Sequence, residues 1–220
     1  MTATIIDQID PATQQVLREW LTGYVTQPHP ELGRRGAVCP FVKPSLAAGG
    51  IVFRTADWEP RHTPEHLERI VSDSLTAFEE TDWQVSKTSK QALIVALLTM
   101  PDNQWHLIDE VHRKIKDKAL ARGLMIGQFH PQCPAPAVHN PQFAVNRAPT
   151  PLIVVRHMAK HDILFLADEA AWFQAYRDRF GHKYELRQVH EPHLINAYTV
   201  AAAKWSTADP QVESDRCAVP

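Results

Sequence analysis

Cys39-Pro40-Phe41 is the first of three short segments whose residue types could do chemistry. Proline after cysteine removes one backbone donor and fixes the chain direction, which would leave the sulfur accessible on a stiff turn. Such a thiolate could ligate haem iron or act as a reactive thiol. The alternative is a small apolar side chain buried beneath a loop, since most free cysteines are inert.

His130 is the second candidate, within Gly-Gln-Phe-His-Pro at residues 127–131. It follows a predicted buried strand, and the ends of such strands commonly carry site residues. The imidazole could be an axial haem ligand, another metal ligand or a general base. The alternative is a histidine at a strand end that only bonds a nearby carbonyl, and periodicity does not separate the two interpretations.

Arg147, Arg156 and His157 complete the candidates. Arg147 lies in a long predicted loop, where its guanidinium could bind a substrate carboxylate in a bidentate manner, or pin the loop through a salt bridge. Arg156 is a second candidate for the carboxylate. His157 could act with His130 as acid and base. A zinc site with His161, four residues on, has weak support because no third ligand has matching spacing.

Several common sites are absent from the sequence. It has no glycine-rich phosphate loop, no Cys-x-x-Cys, no His-Glu-x-x-His and no Gly-x-Ser-x-Gly. The net charge of −2 gives no basic face for nucleic acid. No run of about 18 apolar residues predicts a membrane span. These exclusions favour a small-molecule substrate over a nucleic-acid or membrane partner.

The cysteines indicate the compartment. Three cysteines, an odd number, do not suggest a disulfide framework, and the first residues lack the basic start and apolar stretch of a signal peptide. We therefore expect free thiols and a cytoplasmic location.

The elements that must position these residues predict an α+β fold. Short apolar runs near 51–55, 92–98, 124–129 and 152–156 predict strands of one mixed four- to five-stranded sheet. Helices are expected after Asp10, Thr63, Asp102 and Asp168, and over 189–205. The segment 131–151 contains six prolines and no periodicity, so we expect a long proline-rich loop. We predict one domain over 1–206 and a disordered tail over 207–220.

The order of short motifs resembles a known family. The sequence contains Val-Cys-Pro-Phe-Val-Lys-Pro at 38–44, Phe-His-Pro at 129–131, Asn-Pro at 140–141 and Asn-Arg-Ala-Pro-Thr-Pro at 146–151. This order resembles the bacterial domain-of-unknown-function 6875 family and, more distantly, the 1415 family. The resemblance covers residues 36–166. Ala148 stands where serine is typical in the 1415 family, which argues against a role for a hydroxyl there.

A fainter resemblance suggests a function. An early Cys-Pro and a later Phe-x-Pro are similar to a group that includes haem-containing N-oxygenases. That resemblance implies a haem-dependent oxygenase or related redox enzyme acting on a small polar metabolite such as an amino acid, with Cys39 or His130 as iron ligand. The alternatives are a metal-free or non-haem enzyme using His130 and His157, and a non-catalytic binding or accessory protein. The leading hypothesis requires Cys39, His130 and Arg147 to converge on one cavity.

Overall fold

The computed structural model describes residues 6–206, and the chain divides into two compact units, one ending at Met158 and the other beginning at Ala159. The predicted disordered tail, with Cys217, lies outside the described residues. The expectation of one domain over 1–206 stays a prediction.

The described part of the first unit, residues 6–158, holds seven strands and four α-helices. The strands are β1 (Ile6–Gln8), β2 (Ile51–Ala56), β3 (Ala92–Ala96), β4 (Leu124–Phe129), β5 (Pro136–Ala137), β6 (Asn140–Ala144) and β7 (Leu152–His157). The helices are α1 (Pro11–Trp20), α2 (Val42–Ala47), α3 (Pro64–Glu80) and α4 (His106–Ala121). The predicted α+β class is therefore confirmed.

Five strands form one mixed sheet in the order β1-β2-β3-β7-β4. Strand β2 is parallel to β3, and the other neighbours are antiparallel. Strand β3 lies in the centre of the sheet with both of its faces covered, and this explains its unbroken apolar run. The four strands predicted from the sequence all belong to this sheet, as expected.

Side chains alternate along the central strands between two apolar clusters. Leu93, Val95 and Ile153 contribute to a cluster with helices α3 and α4, on what we call the α3–α4 face. Ile94 and Leu152 contribute to a second cluster, on the α1–α2 face, with α1, the π-turn Leu21–Val25 that extends it, and half-buried residues of α2. The period of two along each strand thus decides on which face a site residue lies.

The predicted N-cap residues are found at α1 and α3. Asp10 accepts a hydrogen bond from the backbone N–H of Thr13 at 3.0 Å, and Pro11 occupies the first helical position. Helix α3 likewise begins with Pro64 after Thr63. The predicted cap Asp102 instead begins a short 3-10 turn, Asp102–Gln104, and the N-cap of α4 is Trp105.

The proline-rich segment is more regular than the sequence indicated. Strands β5 and β6 pair antiparallel in a small separate sheet, so residues 131–151 are not a structureless loop. Gly33 adopts a positive φ of 75° beside this hairpin, and a Cβ there would collide with the carbonyl of His139. The chain before α2 therefore lies directly against the hairpin.

In the second unit, residues 159–206 form three α-helices: α5 (Ile163–Leu166), α6 (Ala170–Glu185) and α7 (Pro192–Ser206). Helix α6 has Glu169 rather than the predicted Asp168 at its N-cap. Tyr176, fully buried, donates a hydrogen bond to the carbonyl of Lys160 at 2.6 Å. Among residues 6–206, no helix combines the length and apolar character needed to cross a membrane.

Candidate functional site

Three side chains with ligand or acid–base chemistry meet where β4 ends beside the first turn of α4. His130 follows β4, Cys133 closes the turn after it, and Asp109 comes from α4. One ligand atom from each residue lies within 4.8 Å of the other two. His130 is 3 % exposed and Cys133 is fully buried. Most of this cluster is thus withdrawn from water.

The turn at Pro131 brings Cys133 back beside His130. The backbone N–H of Cys133 donates to the carbonyl of His130 at 3.0 Å, which closes a four-residue turn. Proline suits the second position of such a turn because its φ is already fixed. The sequence Phe-His-Pro therefore serves to return the chain toward α4.

Asp109 orients the His130 ring. Its Oδ2 lies 3.1 Å from Nε2, and since an ionised carboxylate only accepts, a neutral ring donates its Nε2 proton. The Nδ1 atom is buried and has no hydrogen-bond partner among the described residues. The sequence left a bond to a carbonyl as the alternative for His130. In the structure the hydrogen-bond partner of His130 is instead the carboxylate of Asp109.

The environment of Cys133 opposes formation of a thiolate. Its Sγ lies 3.6 Å from Oδ1 of Asp109 and 3.8 Å from the carbonyl of Gln128. Burial, with a smaller contribution from the Asp109 charge, raises the pKa of the thiol to about 12. The thiol is therefore protonated at neutral pH and donates to the carboxylate.

Sequence reasoning found only His130 of these three residues. The available signal was the spacing of His130 and Cys133, three residues apart around a proline, which is the reach of one turn. Asp109 gave no local signal, because its role depends on the packing of α4 against β4.

Arg147 lies in a different place, in a cleft of about 380 Å³ on the first unit. The cleft is formed by aromatic, polar and charged residues, namely Trp20, Tyr24, Glu31, Gln142, Phe143, Ala144 and Arg147. Trp20 donates to the carbonyl of Arg147 at 3.1 Å, and Tyr24 donates to that of Val145 at 2.9 Å. Two aromatic side chains thus fix the loop backbone.

The Arg147 guanidinium is not used to hold the loop. It is exposed and forms no ion pair or hydrogen bond with any of residues 6–206. Its charge acts on Tyr24: burial raises the pKa of that hydroxyl, and the nearby guanidinium opposes part of the rise. The loop-pinning salt bridge considered from the sequence is absent from the described part of the chain.

Cys39 and Arg156 belong to the α1–α2 face. Cys39 is half-buried against the apolar cluster there, and its N–H donates to the carbonyl of Val25 at 2.9 Å. The Arg156 guanidinium lies over the Phe41 ring, 5.7 Å from its centroid. Neither residue lines the Arg147 cleft.

His157 is far from His130. It pairs with Leu124 at the start of β4, whereas His130 follows the end of that strand, so about 20 Å of sheet separates them. The Nε2 atom of His157 lies 3.1 Å from Oε1 of Gln91. The two histidines therefore do not form an acid–base pair.

Cys39 and His130 lie on opposite sides of the sheet. His130 contacts Asp109 of α4 and has the ring of Trp105 6.0 Å away, whereas Cys39 contacts the α1–α2 cluster. The structure does not show the predicted convergence of Cys39, His130 and Arg147 on one cavity. As a pair, Cys39 and His130 do not fit one haem iron.

The fold and site define an α+β protein with a buried carboxylate–imidazole–thiol cluster on one side of its sheet. The chain matches the family described as Domain of unknown function (DUF6875) over residues 14–191, and it belongs to that family. The resemblance noted from the motifs is thereby confirmed at the level of the family. No curated protein and no solved structure matches the chain.

Proposed function

We propose that the protein binds a small amino acid-like metabolite in the Arg147 cleft. The observation that carries the proposal is the Arg147 guanidinium, which lies beside aromatic side chains and forms no ion pair or hydrogen bond with residues 6–206. A guanidinium that forms no internal ion pair retains all five N–H donors for a ligand, and its planar fork matches a carboxylate.

The charges of the cleft favour a zwitterion. Glu31 also lines the cleft and supplies a carboxylate, while Arg147 supplies the cation. A free amino acid carries the complementary pair, an α-carboxylate and an α-ammonium. Each charge of such a ligand meets the opposite charge on the protein, which gives specificity against molecules that carry one charge only.

The aromatic side chains define the rest of the ligand. Trp20, Tyr24 and Phe143 contribute apolar surface and π-faces. His29 stacks on Phe143 with ring centroids 4.4 Å apart, which holds that ring in place. A volume of about 380 Å³ is at the lower end of the usual range for small-molecule sites. We therefore expect an amino acid with an apolar or aromatic side chain.

Isothermal titration calorimetry with L-phenylalanine, L-leucine and L-glutamate tests this proposal. Arg147→Gln should weaken binding of the preferred amino acid at least about tenfold, since a charge-assisted bond is worth about 1.5–3 kcal/mol. Arg147→Lys should lose less because it keeps the charge. The amide and the N-acetyl derivative of the same amino acid should each bind weakly, because each lacks one charge.

Arg61→Gln is the matched control, since Arg61 is an exposed arginine outside the cleft that pairs with Glu59. This variant should bind the amino acid as the parent protein does. Equal binding by Arg147→Gln and the parent, or no binding of any of the three amino acids, would refute the proposal.

Haem-dependent oxygenation stays a prediction from the sequence. Its test is an absorbance spectrum of protein expressed with added haem, in which a haem protein has an intense Soret band. Cys39→Ala and His130→Ala then separate the two predicted ligands, because loss of the band in only one variant names the residue that binds iron.

A further inference from the structure

The buried cluster at the end of β4 contains three donor types that transition metals prefer together: imidazole, thiol and carboxylate. Asp109 directs one oxygen to each partner, Oδ2 to His130 Nε2 at 3.1 Å and Oδ1 to Cys133 Sγ at 3.6 Å. All three ligand atoms lie within 4.8 Å of one another. The donors come from α4, the end of β4 and the following turn, so their convergence results from tertiary packing.

These separations match the spacing of ligands around one small ion. Zinc binds nitrogen and oxygen at about 2.0–2.2 Å and sulfur at about 2.3 Å, so a tetrahedral ion keeps its ligand atoms roughly 3.3–3.6 Å apart. The two distances to Asp109 are close to that range. Because the two contacts use different oxygens of Asp109, the carboxylate would rotate so that one oxygen faces the ion.

The hydrogen bonding of the cluster is incomplete without a further group. His130 is 97 % buried, since 3 % of it is exposed, and its Nδ1 has no partner among residues 6–206. A buried polar atom without a partner costs about 1–3 kcal/mol, so an apolar residue would be cheaper if His130 had only a packing role. Packing alone therefore does not explain a histidine at this position, where Nε2 faces the carboxylate and is the ring atom that would bind an ion.

The cluster is closed on one side and open on the other. Cys133 is fully buried, whereas 27 % of the Asp109 side chain is exposed. An ion would reach the cluster past the carboxylate, and its fourth position would face water. Three protein ligands with one solvent position is the arrangement of catalytic rather than structural zinc sites.

We propose that Asp109, His130 and Cys133 bind one divalent transition metal ion of the zinc type, with an open fourth position. The inference is independent of the amino acid proposal for the Arg147 cleft. A catalytic cysteine is the competing interpretation. It is disfavoured because the thiol donates toward a carboxylate, which opposes thiolate formation in the metal-free protein.

Cobalt substitution tests the site directly. Metal-free protein, prepared with a chelator, is titrated with Co²⁺ and followed by absorbance. The expected result is one equivalent bound, tetrahedral d–d bands and a near-ultraviolet thiolate-to-cobalt charge-transfer band. Zn²⁺ should displace Co²⁺ and abolish these bands. The charge-transfer band reports a sulfur ligand, which no purely structural role of the cluster would produce.

Matched variants assign the ligands. Cys133→Ser should lose the charge-transfer band, whereas Cys39→Ser should keep it, since Cys39 contacts the α1–α2 face. Asp109→Asn keeps the shape of a partly exposed side chain and should weaken Co²⁺ binding by more than about tenfold. Circular dichroism of each variant establishes that it is folded.

A second measurement covers variants that fold poorly. Zn²⁺ should raise the melting temperature of the parent protein and of Cys39→Ser, and it should raise that of Asp109→Asn much less. Absence of saturable Co²⁺ and Zn²⁺ binding by the parent protein would overturn the proposal. Retention of the charge-transfer band in folded Cys133→Ser would also overturn it, because the sulfur ligand would then lie elsewhere.

Discussion

The two faces of the central sheet differ in how far their functional polar side chains are exposed to solvent. On the α3–α4 face two long helices cover the strands, and His130 and Cys133 are buried on that side. On the α1–α2 face the cover is one helix, the short α2 and loops, and it includes half-buried side chains such as Trp20 and Tyr24. Beside them Arg147 remains exposed.

This difference has a chemical consequence. Burial lowers the pKa of His112, on α4, to about 4 and raises that of Cys133 to about 12, so both groups are neutral near pH 7. Arg147 keeps its charge in contact with solvent. The α3–α4 face, which we call the closed face, suits ligand atoms that stay neutral until a metal binds. The α1–α2 face, which we call the open face, suits recognition of a charged metabolite. We infer that the two faces have separate roles.

The largest expected effect compares adjacent residues of β3 on opposite faces. Leu93→Ala should cost about 4 kcal/mol of unfolding free energy and Ile94→Ala about 3 kcal/mol. Both side chains are at most 2 % exposed, but the cavity at Leu93 lies beneath two long helices that cannot collapse into it. Urea denaturation measures both values. A greater loss for Ile94→Ala would contradict the comparison.

The next effect is a pH dependence on the closed face. The imidazole Nε2 of His112 lies 3.1 Å from the carbonyl of Ile126, and its folded pKa of about 4 is below the unfolded value of 6.5. The unfolded chain therefore takes up the proton first as the pH falls. The contribution of His112 to folding stability is present above pH 6.5 and is lost as the pH falls from 6.5 to about 4.

His112→Gln should remove that part of the acid sensitivity. Between about pH 7 and pH 5 the parent protein should lose about 2 kcal/mol more stability than this variant. Denaturant unfolding at each pH provides the comparison, and parallel curves for His112→Gln and the parent would refute the assigned cause.

The fold was predictable where local physics decides the outcome. The apolar runs at β2, β3, β4 and β7 are short and bounded by turn residues, so their strand character and shared sheet followed from the sequence. The cap at Asp10 was predictable because its side chain accepts a hydrogen bond from the backbone of its own helix. The hairpin of β5 and β6 was missed, because six prolines obscure the alternation that indicates a strand.

The site was predictable only in part because it depends on which face each residue occupies. Cys39 lies in the loop before α2 and His130 follows β4, and nothing local in the sequence indicates that the sheet separates them. The partnership of His130 with Asp109 joins residues 21 apart through the packing of α4. For Arg147 the sequence left two interpretations open, a substrate carboxylate or a loop-pinning salt bridge, and among residues 6–206 its guanidinium has no such salt bridge.

Asp109→Asn should cost about 1–2 kcal/mol in metal-free protein, a smaller effect than the core substitutions. The carboxylate accepts from both His130 and Cys133, and an amide has only one oxygen for the two donors. Glu110→Gln, at the exposed neighbouring position, is the matched control and should be nearly neutral. Thermal unfolding in the presence of a chelator measures both. Equal stability of the two variants would mean that the cluster contributes nothing without metal.

The smallest expected effect concerns a single hydrogen bond on the open face. Trp20 donates its indole N–H to the carbonyl of Arg147, 127 residues away in the sequence. Trp105, of the α3–α4 cluster, donates the same group to the carbonyl of Met100, only five residues away. The first bond ties α1 to the loop that carries the cleft, and the second closes a local turn.

Trp20→Phe and Trp105→Phe should each lose about 1 kcal/mol or less, because each removes one donor while keeping an aromatic ring. Their effects on hydrogen exchange should differ. Trp20→Phe should speed exchange in β6 and at Val145, since the ring contact with Phe129 at a 5.6 Å centroid distance does not hold the loop backbone. Trp105→Phe should leave exchange in β6 unchanged. If both variants left exchange in β6 unchanged, the hydrogen bond from Tyr24 to the carbonyl of Val145 would be enough to order the cleft. The open face would then be more rigid than the proposed difference between the two faces requires.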